Sequence, residues 1–70
     1  MRGFIELTLS SNDKPTIIRV DSIVQMFEDT TSDGKECTRI EFEGDYTRVK
    51  EDISTIMRLI GEARLNSLDK

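Results

Sequence analysis

The stretch "YTRVKEDISTIMRLI", Tyr46 to Ile60, changes its hydrophobic period at its centre. Up to Lys50 the side chains alternate, with Thr47 and Val49 on one face of a short strand. After Asp52 the apolar residues Ile53, Ile56, Met57 and Ile60 recur every three or four positions, as on an amphipathic helix. Asp52 is a suitable N-cap, because its carboxylate can accept from the free N–H groups of the first turn. Arg58 and Arg64 fall in the C-terminal half, where the helix dipole favours cations. Gly61 is unfavourable inside a helix and predicts either close packing on a sheet or fraying beyond it. The last six residues, "LNSLDK" (65–70), read as a loose tail.

Upstream of the switch the chain reads as strands and turns. In "GFIELTLS" (3–10), Ile5, Leu7 and Leu9 face one way and Glu6 and Thr8 the other. "SSNDKP" (10–15) is a turn, and "TIIRV" (16–20) is a second strand with Ile18 and Val20 on one face. "DSIVQMFED" (21–29) reads as a turn followed by a strand, Val24 and Met26 inward. Asp33-Gly34 marks a reversal. "CTRIEFE" (37–43) places Thr38, Ile40 and Phe42 inward and Cys37, Arg39, Glu41 and Glu43 outward. Gly44-Asp45 makes the last turn.

The expected fold is α+β: a five-stranded, mostly antiparallel meander, bent or barrel-like, packed on one C-terminal helix. The domain is expected over 1–66, with a tail at 67–70. The expected core is Ile5, Leu7, Leu9, Ile18, Val20, Val24, Ile40, Phe42, Val49, Ile53, Ile56 and Ile60. A chain of 70 residues makes at most one domain, and its core supplies about 3–5 kcal/mol of net stability. With one cysteine and no histidine, it has no internal disulfide and no Cys/His zinc or haem site. A second subunit is then the remaining way to supplement a small core.

Fourteen acidic and ten basic residues give a net charge of −4. That disfavours nonspecific binding to nucleic acid or anionic membrane, both of which need a positive field. No apolar run approaches the about 20 residues of a membrane span. Glu6 comes too early for a secretory leader, so the expected setting is the cytoplasm, without membrane contact.

Motifs for chemistry are absent. Without histidine, Cys37 and the serines lack the usual proton acceptor, so the expectation is a non-enzyme with no catalytic, cofactor or metal residues. Glu41 and Glu43 read as a solvated strand face rather than as an acid–base pair. "DTTSDG" starts like a calcium loop at Asp29, Thr31, Asp33 and Gly34, but the twelfth position is Ile40, which cannot ligate.

With this strand order, the chain resembles the small bacterial FlbD-like flagellar proteins. The likeness rests on the "I-x-L-T" strand at Ile5, Glu6, Leu7 and Thr8, and on Ile23, Met26 and Glu28 within "VDSIVQMFED". It continues through Gly44 and the "V-K-E" junction of Val49, Lys50 and Glu51, with Asp52 in place of a serine cap. It covers residues 4–60. The 29–36 loop is longer and more polar than that pattern, "DYTR" replaces a more apolar strand, and the chain runs on after Ile60. The resemblance implies a non-catalytic accessory role and supplies no catalytic motif. A looser likeness is to LytTR-type DNA-binding domains, whose basic loops this acidic chain lacks.

Two candidate surfaces follow. Phe4, Ile17, Ile23, Phe27 and Leu59 are more apolar residues than so thin a domain can turn inward, which points to an interaction module for protein, with a second copy among the expected partners. Arg19, Arg39, Arg48 and Lys50 form the alternative, a nucleic-acid surface, with Tyr46 the one tyrosine nearby and no tryptophan.

Overall fold

The computed structural model describes the backbone of residues 3–68 and the side chains of residues 3–64. The elements are β1 (Phe4–Thr8), β2 (Pro15–Arg19), a 3-10 turn (Val20–Ser22), β3 (Gln25–Thr30), β4 (Glu36–Phe42), β5 (Asp45–Val49) and α1 (Ile53–Leu68). The fold is α+β with antiparallel pairing throughout, as expected. It differs from a single meander or a closed barrel. The strands form two sheets, β1-β2 and β3-β4-β5.

The break lies between β2 and β3. Val20–Ser22 coils into a 3-10 turn, closed by Ile23 N–H donating to Val20 O. The sheets meet elsewhere. Leu9, just past β1, bridges to Val49. Ser10 N–H donates to Arg48 O, and Lys50 N–H to Thr8 O, at 3.0 and 2.9 Å.

The period switch sits at this seam. Both Glu51 carboxylate oxygens accept from Thr8, one from its N–H and one from its hydroxyl, each at 2.9 Å. The buried Thr38 hydroxyl donates to Glu51 O at 2.7 Å, which satisfies the one buried polar side chain of β4. Asp52 then caps α1: its Oδ1 accepts from Thr55 N–H at 2.9 Å, and these hydrogen bonds hold its carboxyl below the usual range. Three consecutive functions thus fall on Lys50, Glu51 and Asp52: joining the sheets, anchoring β4 and starting the helix.

The core collects Ile5, Leu7, Ile18 and Val20 from the first sheet and its flank, Ile40 and Val49 from the second, and Ile56, Ile60 and Ala63 from α1. Helix and sheets bury complementary stripes. Phe42 is half-buried against this cluster, and Leu9 and Ile53 are half-buried. Val24 is a correction, because it is 66% exposed. Its N–H donates to Glu41 O, while Gln25 is the register partner of Glu41. Two residues facing one make a β-bulge, which breaks the alternation, and Ile23 packs on the core instead.

Cys37 lies on the outer face of β4, as expected, and is nevertheless buried there, at 6% exposure. Gly61 does not mark close packing, since a Cβ there would meet nothing within 4 Å. Nor does the helix stop there. It runs through Leu68, past the expected start of the tail, while residues 69–70 lie outside the described residues.

Candidate interaction surface

The hairpin registers decide which outward side chains become neighbours. Phe27 pairs with Arg39, and Arg39 with Arg48. One step along, Gln25 pairs with Glu41, and Glu41 with Tyr46. In the other direction Asp29 pairs with Cys37. Positions two apart share a face of a strand, so these residues form one continuous outer face on β3-β4-β5. The turns that set the registers use Gly34 and Gly44, both with φ near +80°, at +86° and +81°.

Arg39 is the centre of that face. Its guanidinium carbon stands 3.8 Å from the centroid of the Tyr46 ring and 5.8 Å from that of Phe27. Arg48 stands 5.3 Å from the Tyr46 ring. Phe27 and Tyr46 remain 39% and 46% exposed. Arg39 Nε lies 3.0 Å from Glu41 Oε2, yet it is shielded from solvent without an aligned hydrogen bond. The rings therefore position this guanidinium more than Glu41 does. Glu41 also accepts from the Gln25 side-chain amide.

Beside this cluster, Arg48 Nε donates to Asp29 Oδ2 at 3.0 Å, and Asp29 Oδ1 accepts from Thr30 N–H at 2.8 Å. The Arg48 hydrogen bond, followed by that of Thr30, holds the Asp29 carboxyl below its ordinary range. Burial, and then the Asp29 charge, push the Cys37 thiol up. It is a neutral thiol at physiological pH, not an activated nucleophile.

The sequence candidates separate in space. Arg39 and Arg48 adjoin on this face. Lys50, just beyond β5, is ion-paired with Asp13. Arg19 belongs to the other sheet, opposite Phe4. Of the apolar candidates, Phe27 is on the β3-β4-β5 face, and Phe4 and Ile17 are exposed on the outer face of β1-β2 at 40% and 49%. Ile23 and Leu59 are half-buried and pack on the core, so they leave the exposed set. The ring clamp of Tyr46 on Arg39 is what the sequence reading missed. The outward positions of adjacent strands, combined with the two hairpin turns, carried that signal.

An open depression lies at the end of the same sheet, lined by Glu28, Asp29, Glu36, Cys37, Lys50 and Asp52 among others. Among the described residues no group of His, Cys, Asp and Glu is arranged to hold a metal ion. No described helix is long and apolar enough to cross a membrane. No family model matches the chain, and no curated protein or solved structure is found similar to it. The reading of the surface therefore rests on its own geometry.

Proposed function

We propose that this chain is a non-enzymatic interaction module that binds protein, including its own copies, through the β3-β4-β5 sheet. The supporting observation is Arg39 stacked between Tyr46 and Phe27 on an uncovered face. Tyr, Phe and Arg are the residues enriched at interface cores, and pre-positioned side chains lose little entropy on binding. The resemblance to FlbD-like chains supports the same kind of accessory role. A reducing, cytoplasmic setting fits the single, free cysteine.

A nucleic-acid reading draws on the same rings and arginines, since an aromatic sheet face can stack bases. Charge weighs against it. Arg39, Arg48 and Lys50 each stand beside a carboxylate of the chain itself, which offsets the positive field a phosphate backbone needs.

The test is capture of tagged protein from its native host under nuclease treatment, with Phe27→Asp as the comparison. The expected result is a nuclease-resistant protein partner, or an untagged copy of the chain, that is lost with the variant. Recovery of only nuclease-sensitive material would transfer the surface to nucleic acid.

A further inference from the structure

We infer that a second copy of the chain adds to the free edge of β3, making a sheet continuous across a two-fold dimer with Phe27 on the axis. This deepens the interaction reading and rests on it.

β3 has no strand neighbour on its outer side among the described residues. Its hydrogen-bond phase can be followed from the hairpin. Thr31 N–H donates to Lys35 O at 2.8 Å. Bonded and non-bonded pairs alternate along an antiparallel ladder. In the register that pairs Asp29 with Cys37 and Phe27 with Arg39, the backbone groups of Gln25, Phe27 and Asp29 therefore point to β4. Those of Met26, Glu28 and Thr30 point to the free edge. The Thr30 N–H is already taken by Asp29 Oδ1. The edge thus offers the N–H and C=O groups of Met26 and Glu28.

These groups match themselves in one register. Centred on Phe27, a two-fold pairing sets Met26 of each copy against Glu28 of the other and uses all four groups of each copy once, in four hydrogen bonds. Phe27 then meets Phe27 at a non-hydrogen-bonded site, where side chains approach most closely and aromatic pairs are favourable. Gln25 falls opposite Asp29, so no like charges face each other. Centring on Glu28 would oppose two carboxylates and call on the occupied Thr30 N–H. Centring on Met26 would set Glu28 against Val24, whose N–H is committed to Glu41. β3 contains no proline, lysine or arginine. Its guards are the bulge at Val24-Gln25, which lies outside the four groups used, and the charges of Glu28 and Asp29, which this register sets opposite Met26 and Gln25. Val24 and Phe27 are exposed apolar residues at the edge.

The test is sedimentation of the full chain from about 1 μM to about 1 mM, the range spanning weak and moderate dimers, with thermal melts to verify folding. Phe27→Lys puts two cations at the axis, and Glu28→Pro removes an edge donor. Each is expected to weaken dimerisation at least about tenfold. Ile17→Lys, on the other sheet, should leave it unchanged. In a Cys37→Val background, Phe27→Cys should form an intermolecular disulfide on mild oxidation, and Gln25→Cys should not, because only residue 27 meets its own copy. A dimer that survives both edge variants would overturn this interface while leaving self-association in place. A chain monomeric throughout would overturn the second copy as partner. The interaction reading itself then stands or falls on capture of a foreign protein sensitive to Phe27→Asp.

Discussion

The two sheets solve the same problem in opposite ways. Each buries one face on the shared core and leaves the other to solvent. On β1-β2 the outer apolar residues Phe4 and Ile17 stand among Glu6 and Arg19, with no ring stacking or ion pair found there among the described residues. On β3-β4-β5 the rings are engaged by arginines, and the arginines stand beside carboxylates. Their edges differ too. β2 starts at Pro15 and ends at Arg19, residues that discourage a further strand. β3 carries neither kind of guard. A scattered apolar surface with a protected edge is ordinary. An organised surface beside an open edge is suited to recognition.

β1-β2 is held on by the core and by one seam, at Leu9-Val49 and its flanking backbone hydrogen bonds. The largest effect should come from the core. Leu7 is 1% exposed. Leu7→Ala is expected to cost about 2–5 kcal/mol, comparable with the about 3–5 kcal/mol such a domain has. Urea unfolding should show the midpoint collapse, or no folded baseline. Survival with a loss under about 1 kcal/mol would mean that β1 contributes little.

Glu51→Ala removes both acceptors of Thr8. Hydrogen bonds to a charged acceptor are worth about 1.5–3 kcal/mol, so an intermediate loss is expected. Hydrogen exchange sharpens the point. The amides of Thr8, Ser10 and Lys50 should lose protection first, with those of β3 and β4 following only on global unfolding. Uniform loss would mean that the two sheets open as one unit.

The strands and the helix were legible because their periods are strong, and Asp52 announced the helix start. The division into two sheets was not. It depends on the turn at Val20–Ser22 and the bulge at Val24-Gln25, local choices that alternation cannot distinguish from a continued strand. Val24 was misplaced inward for that reason. Cys37 was rightly placed on the outer face, but its burial there was not legible: register sets Asp29 opposite it, and Arg48 reaches across from β5 to Asp29. The arginines and the apolar candidates were visible as outward positions, but their sorting onto two separate faces needed strand order. Ile23 and Leu59 show the converse: they counted as surplus only while the extent of the core was unknown.

Smaller effects test the contrast between the outer faces. Tyr46→Ala strips the main ring from Arg39 and should cost about 0.5–1 kcal/mol, the range of an exposed cation–π contact. Ile17→Ala, on the outer face of β1-β2, should stay within about 0.5 kcal/mol. Equal losses in thermal unfolding would mean that the clamp is a packing accident, not an organised feature.

The last contrast is electrostatic. Asp29 and Asp52 both have carboxyls held below their ordinary range, Asp29 first by Arg48 and Asp52 first by Thr55. A carboxyl depressed in the folded state binds its proton less readily there than in the unfolded chain. Its contribution is therefore complete above the unfolded pKa of about 3.9 and is lost as pH falls through the folded value. Stability should be flat with respect to these groups near neutrality and should decline below about pH 4. Salt separates the two sites. The Asp29–Arg48 pair is a half-exposed interaction between full charges, which salt screens in part, whereas the Asp52 cap is a short-range bond to a backbone N–H. Thermal unfolding at pH 7 should thus show the effect of Asp29→Asn shrinking in high salt by a larger fraction than that of Asp52→Ala. If both effects vanished with salt, the helix start would rest on long-range charge, and the cap geometry at Thr55 would not be what holds it.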